Sequence, residues 1–339
     1  MRRRSHPRRS ALLSASAIAL TSTAVALWFW ILALSPVSQD TSPVLFSVPP
    51  GATLLSVASD LEQVHLVRSR FTVECLGRLR GLADHLRAGE YELSAAFDTW
   101  KILSRLRKGR IKLYEVLLPE GITASEIAAR LATAGLANRD EVLTLVLATD
   151  AAKAFGIEGP TLEGYLFPDT YRLARGIPPR EILQTFVAQF LRVWSELAPQ
   201  AEKQKLSQRE VVTLASIIEK ETAAPQERSL IASVFRNRLS IGMRLESDPT
   251  VIYGIQNFDG NLRRKHLEDE ANRYNTYRIR GLPPGAIANP GRAALRAALE
   301  PAETDYLYFV SRNNGVHIFS KSYAEHTQAV RRYQRRGAP

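Results

Sequence analysis

Between Arg9 and Asp40 the chain carries no charged residue, and an apolar stretch of 24 residues runs from Ala11 to Leu34. Coiled as a helix it would extend about 36 Å, against about 30 Å for the hydrocarbon core of a bilayer. This predicts a single transmembrane anchor over 11–35. Trp28, Phe29 and Trp30 stand at its far end, where an aromatic belt belongs. Arg2, Arg3, Arg4, Arg8 and Arg9 precede it, so the positive-inside rule makes 1–10 a basic cytoplasmic tail and puts the body of the chain across the membrane. The alternative is a cleaved signal peptide. Its apolar region is typically about 7–15 residues, shorter than this one, although Ala33-Leu34-Ser35 resembles a cleavage site.

The remaining 300 or so residues have the composition of a folding chain, 45% hydrophobic and 23% charged overall. A single cysteine, Cys75, excludes an internal disulfide and a cysteine-based zinc site. The net charge of +11 raises the question of nucleic acid, but nine arginines sit at the two ends, the five above and Arg331, Arg332, Arg335 and Arg336. The other 36 basic residues face 34 acids, so no strongly basic body is left to follow a phosphate backbone, and nucleic acid is not an expected partner.

After a linker at Pro36 to Pro43, Val44 to Val48 predicts a strand that ends at the turn Pro49-Pro50-Gly51, with Thr53 as a helix cap. About 70 residues later the order recurs. Leu113 to Leu118 reads as strand, Pro119-Glu120-Gly121 as turn, and Thr123 with Glu126 as a capping box. The alignment pairs Gly51 with Gly121, Thr53 with Thr123, Ala58 with Ala128 and Leu61 with Leu131, a weak repeat that shared strand-turn-helix chemistry also explains. Between the copies, Gly89 to Leu93 reads as a second strand and Asp98 caps a helix to about Lys108. Strand, helix, helix, strand over 44–118 resembles the LysM carbohydrate-binding module in topology, without a specific motif. A small α+β spacer is the alternative. From Thr123 onward helices dominate: a long amphipathic segment near Arg180 to Lys205, then helices near Val211 to Thr222 and Gln226 to Leu239. Tyr306 to Val310 and Val316 to Ser320 flank Arg312-Asn313-Asn314-Gly315 as a hairpin, so the fold class is α+β, mainly helical with a small antiparallel sheet.

None of the six histidines falls at HExxH spacing and no Cys–His or Asp–His cluster suggests a cage, so neither metal nor cofactor is expected. GxSxG, GxxxxGK[ST] and GxGxxG are absent. What stands out is the polar and aromatic run from Glu219 to Asn275. Glu221 lies seven, four and three residues after Leu214, Ile217 and Ile218, which sets its carboxylate at the edge of an apolar face. Glu219 points about 160° away, toward a smaller and more polar side. A carboxyl at an apolar margin can hold its proton long enough to act as a general acid. Downstream, Asn237, Arg238, Asp248, Tyr253, Tyr274, Asn275 and Tyr277 interleave rings with amides and charges, as a sugar requires; core packing and structural turns are the plainer reading of each.

Ala215-Ser216-Ile217-Ile218-Glu219-Lys220-Glu221-Thr222, Val234 to Leu239, Gly242 to Leu245, Ser247 to Gly254, Tyr274 to Tyr277 and Gly281 to Ile287 closely resemble the endolytic murein transglycosylase family, also called YceG-like. Leu162 to Tyr171 and Tyr306 to Val310 match as well. The resemblance implies a single-pass protein of the bacterial inner membrane with a catalytic domain, here 119–330, in the periplasm. It implies lytic cleavage of the MurNAc-β-1,4-GlcNAc bond of peptidoglycan with formation of 1,6-anhydro-MurNAc ends. It makes Glu221, the second Glu of Glu-Lys-Glu-Thr, the general acid and base, and it points to glycan strands and wall-synthesis proteins such as penicillin-binding proteins as partners. Two other functions remain open: a muramidase-type hydrolase with Asp248 or Glu163 as second carboxylate, and a membrane-tethered glycan-binding scaffold without catalysis.

Overall fold

A computed structural model of the chain describes residues 20–24, 27–221 and 224–334. The basic tail at 1–10 and much of the expected 11–35 span lie outside the described residues. Residues 20–24 and 27–34 are helical, and no helix among the described residues is long and apolar enough to cross a membrane. The chain divides into two units. One runs to Tyr114 and takes in Ala174–Gly176; the other comprises Glu115–Leu173 and the chain from Ile177.

In the first unit, β1 (Val44–Val48) pairs antiparallel with β2 (Gly89–Leu93), Val44 opposite Leu93 and Val48 opposite Gly89. Alternation buries Phe46 and Val48 on one strand and Tyr91 and Leu93 on the other. Between them lie α1 (Leu54–Gln63) and α2 (Arg70–Leu79). Leu54, Val57, Ala58 and Leu61 form the buried stripe of α1, the spacing that a single helix face provides. A strand, helix, helix, strand order runs here over 44–93, through α2 and not through the helix after Asp98 and the 113–118 strand on which the expectation over 44–118 rested. Next comes α3 (Thr99–Arg107), capped by Asp98 through the Lys101 N–H, and it adds Ile102, Leu103 and Leu106 to the same core.

The second unit opens with the same elements: β3 (Tyr114–Leu117, its first residue at the boundary), α4 (Ala124–Thr133), α5 (Arg139–Leu147) and β4 (Thr170–Leu173), with β3 paired to β4. The β3 strand thus belongs with the second unit and not with the module expected over 44–118. The weak repeat in sequence is close in local geometry. Gly51 and Gly121 take left-handed φ values of 76° and 74°, which glycine adopts without steric cost. Thr53 and Thr123 each close a capping box. Both helices stop alike, at a left-handed residue, His65 or Gly135, followed by a 2.9 Å bond from Leu66 N to Leu61 O or from Leu136 N to Leu131 O.

The helical part consists of α6 (Pro179–Lys203), α7 (Gln208–Glu221), α8 (Arg228–Ser240), α9 (Asp248–Tyr253), the short α10 (Arg264–Leu267) and α11 (Arg292–Leu299). The hairpin β5 (Tyr308–Ser311) and β6 (His317–Ser320) and the helix α12 (Tyr323–Tyr333) complete it. Every residue from Val211 to Ile218 is buried, so α7 is covered on all sides, by α6, α8, α9 and α11. Each large apolar side chain withdrawn from water contributes about 1.5–3 kcal/mol, which holds α7 firmly in place. Gly164 (φ +95°) lets the Leu162–Tyr171 segment meet it: an added Cβ would stand 2.5 Å from Ala286 Cβ and 2.7 Å from Val212 Cγ1. The hairpin is antiparallel, Tyr308 opposite Ser320, and packs on α8 with Phe235 edge-on to Phe309 at 5.9 Å. The expected α+β class is what the structure shows.

Candidate active site

The two carboxylates that end α7 have different surroundings. Glu219, 4% exposed at its side chain, receives Arg228 Nη2 at 2.9 Å on Oε1 and the Gly291 N–H at 2.9 Å on Oε2, while Arg228 also reaches Glu120 at 3.4 Å. It joins α7 to α8 and to the start of α11. Glu221 shares none of these partners. Its Oε1 accepts a hydrogen bond from Ser247 Oγ, and the residue is half-buried. Burial pushes its pKa up to about 7, and the charge of Asp248 adds to the rise; the Ser247 bond and the charges of His317 and Arg238 pull it down. In the last turn of α7 it also stands at the negative end of the helix, which disfavours a carboxylate. The result is a carboxyl able to give and take a proton near neutral pH.

Ser247 is placed by a buried cluster of hydroxyls. Its N–H donates to Thr276 Oγ1 at 2.9 Å, Thr250 Oγ1 donates to the Ser247 carbonyl at 2.7 Å, and the Thr250 and Thr276 hydroxyls meet at 2.8 Å. The Ser247–Gly254 and Tyr274–Tyr277 stretches are joined here. Asp248, exposed at the first turn of α9, accepts the Tyr277 hydroxyl at 2.8 Å. The Tyr277 phenol is held well above its ordinary range, by burial first and by Asp248 second.

Of the other residues expected in a groove, the structure brings Arg238 within electrostatic reach of Glu221 but directs its donors to main-chain carbonyls, Leu307 at 2.6 Å and Leu245 at 2.7 Å, with the guanidinium over the Tyr308 ring. Asn237 Nδ2 donates to the carbonyls of Thr304 and Tyr306. Asn275 is fully buried; its amide nitrogen serves the carbonyls of His266, Leu267 and Asp269, and its oxygen accepts from Tyr277 N. These two amides hold loops, a correction to the expectation that they face a sugar. Tyr253 and Tyr274 meet ring to ring at 4.8 Å beside Glu163, to which Tyr253 donates its hydroxyl at 3.3 Å.

Glu163 is 3% exposed, and burial raises its pKa to about 7 against the opposing bonds from Ala124 N, Tyr253 and Asn289. Asn289 Nδ2 donates to Glu163 and to the Ile122 carbonyl, while its oxygen accepts from Gly164 N and Leu166 N, each at 2.9 Å. So enclosed a carboxyl has no route to activate a water on a sugar, which counts against it as a second catalytic acid. A cleft of about 1160 Å³ opens toward the other end of α7, beside Arg209, Leu214, Arg273 and Pro283, about 10–18 Å along the helix from Glu221 by its rise per residue. It is remote from the acid.

Sequence reasoning missed Ser247 and His317. Ser247 stood inside a stretch that carries the family resemblance but with no role of its own, and His317 stood in a hairpin 96 residues from Glu221 with no spacing to link them.

Comparison with known proteins adds the following. The YceG-like family pattern matches residues 46–332. A Bacillus subtilis protein named endolytic murein transglycosylase is 32% identical over 318 residues, covering 88% of each chain. A Streptococcus pneumoniae protein of the same name is 28% identical, covering 79% of this chain, which spans 54% of that protein's length. A crystal structure of a yceG-like protein from Listeria monocytogenes superposes with a TM-score of 0.59 at 30% identity, covering 86% of this chain and all of that one.

Proposed function

The chain belongs to the YceG-like family, and from that premise we propose that it is an endolytic peptidoglycan lytic transglycosylase with Glu221 as its single general acid and base. The names of the Bacillus and pneumococcal relatives support the activity. The observation that carries the assignment of Glu221 is its carboxyl at the end of α7, raised to about 7 and bonded by Ser247. Protonated, Glu221 gives its proton to the oxygen of the MurNAc-β-1,4-GlcNAc bond as the C1–O4 bond breaks. As carboxylate it takes the proton of the substrate's own C6 hydroxyl, whose oxygen bonds to C1 and closes the 1,6-anhydro ring. No water enters, so no second carboxylate is needed, in contrast to a hydrolase. Asp248 and Tyr277 are the groups on this reading that face the glycan, with Tyr253 and Tyr274 as a stacking pair; Asn237, Arg238 and Asn275 frame the site.

The same proposal anchors the chain in the inner membrane through 11–35 with the amino terminus in the cytoplasm and the catalytic unit in the periplasm. It takes the first unit as a LysM-like module that positions glycan beside wall-synthesis proteins. The charge-free run before Asp40 and the strand-helix-helix-strand order support these two steps. Incubation with purified sacculi and mass spectrometry of the products tests the reaction: anhydro ends lighter by one water are expected, and reducing ends would move the protein to the hydrolases.

A further inference from the structure

The β5–β6 hairpin carries a side-chain pair to which the mechanism above gives no task. Glu227 ends the short 3-10 turn Pro225–Glu227, six residues after Glu221, and is 6% exposed. Its carboxylate accepts two bonds from a single residue: the main-chain N–H of His317 at 2.9 Å on Oε1 and the ring Nδ1 at 2.7 Å on Oε2. His317 is the first residue of β6, and its ring is walled by Phe309, edge-on at 5.5 Å, and by Phe319. The neighbouring strand is gripped as well, since Arg238 of α8 donates to the Leu307 carbonyl just before β5. The hairpin is thus fastened at the start of both strands, once to α8 and once to the segment between α7 and α8. The His317 ring falls within electrostatic range of the Glu221 carboxyl.

We propose that His317 is a positioning residue for Glu221: tied to Glu227 through its main-chain N–H and Nδ1, it locks the hairpin to the segment leaving α7 and fixes where the catalytic carboxyl stands against the glycan. A buried carboxylate that takes both donors of one residue leaves that residue a single orientation, and a two-point tie resists the small rotations that one bond allows. Displacement of a reacting group by about 1 Å can cost about 10²-fold in rate, so the tie acts on turnover more than on binding.

This inference rests on the reading of Glu221 as the acid. The test uses the full-length protein with purified glycan strands. In asparagine the amide nitrogen is bonded to Cγ, as Nδ1 is in histidine, so His317→Asn keeps a donor toward Glu227. His317→Gln moves its nitrogen one carbon farther and loses that donor. His317→Gln is expected to lose about 10²-fold in kcat with KM unchanged, and His317→Asn to restore turnover close to wild type. Glu227→Gln, which keeps an acceptor for the main-chain N–H, reads the pair from the other side. Its combination with His317→Gln should cost no more than either change alone, the mark of a coupled pair. Thermal melts accompany each variant; should His317→Gln fail to fold, Glu227→Gln alone must show the fall in kcat. The inference is overturned if His317→Asn is as inactive as His317→Gln, if the loss lies in KM, if the double variant is additive, or if His317→Gln turns over like wild type. Glu221→Gln is run alongside. If it stays active, the reading of Glu221 fails; if it is inactive while the His317 variants are unaffected, only the positioning role fails.

Discussion

Replacing Glu163 by glutamine removes a buried carboxyl whose pKa is lifted from 4.5 to about 7, burial being the chief cause. Such a group holds its proton more tightly in the folded chain than in the unfolded one. Its contribution to stability is therefore full below about pH 4.5 and is lost as the pH climbs through about 7. At 1.36 kcal/mol per unit the loss amounts to about 3 kcal/mol. Glutamine does not titrate and fits the same partners: its oxygen can accept from Ala124 N and Asn289 Nδ2, and its nitrogen can donate to the Tyr253 oxygen. A transition in a unit of this size moves by about 2–4 °C per kcal/mol, so between about pH 4 and pH 8 the melting temperature of Glu163→Gln should gain about 6–12 °C on that of wild type. Calorimetry of both proteins across the range provides the comparison, and the titration of Glu221, present in both, cancels in the difference. Parallel melting curves would refute the reasoning, since they would mean that Glu163 gives up its proton as readily folded as unfolded.

Glu221→Gln should leave the melting temperature near wild type and abolish release of anhydro products from sacculi, a loss at or beyond about 10⁴-fold because one group serves both proton transfers. Glu219→Gln should retain cleavage but lower unfolding stability by about 1–3 kcal/mol, as Arg228 loses its best-buried partner; an inactive, folded Glu219→Gln would replace the single-acid mechanism by a two-carboxylate one. Ser247→Ala removes the bond that favours the Glu221 carboxylate, so the alkaline limb of kcat/KM against pH should move upward, and an unmoved or lowered limb counts against the assignment. In a native host the amino-terminal sequence of the mature protein should precede Pro36, and a mature chain beginning near Pro36 would overturn the anchor.

Much of the architecture could be read from local signals because those signals act locally. Thr53, Asp98 and Thr123 cap the helices they announce, and Arg312 to Gly315 turns the hairpin. The α2 helix is not legible in the sequence because Arg70, Glu74 and Arg78 interrupt its apolar spacing and two of its large apolar residues, Phe71 and Leu79, face solvent. The β3 strand is legible as a strand, but its partner lies more than fifty residues ahead at β4, and period-2 patterning specifies a face without specifying a mate. At the site, the helix-face argument separated Glu221 from Glu219 because both sit on one rigid helix. Asn237 and Asn275 show the opposite case: an amide among aromatic residues looks the same in sequence whether it serves a sugar or main-chain carbonyls, and only packing decides.

The doubled strand-helix-helix-strand unit sets the folding chain a problem of partner choice. Two copies with the same turn, cap and helix stop invite β3 to pair with β2, or β1 with β4, before either unit closes. Charge on the strands discriminates between these pairings. Across β3 and β4, Glu115 meets Arg172 at 3.6 Å, a surface contact that adds little to stability. Against β2, the same glutamate would face Glu90 and Glu92, like charges on adjacent strands, which oppose the mispairing. The uncharged β1 has no acid to meet Arg172 if it pairs with β4. A weak surface ion pair can thus favour correct assembly by making the wrong pairings worse.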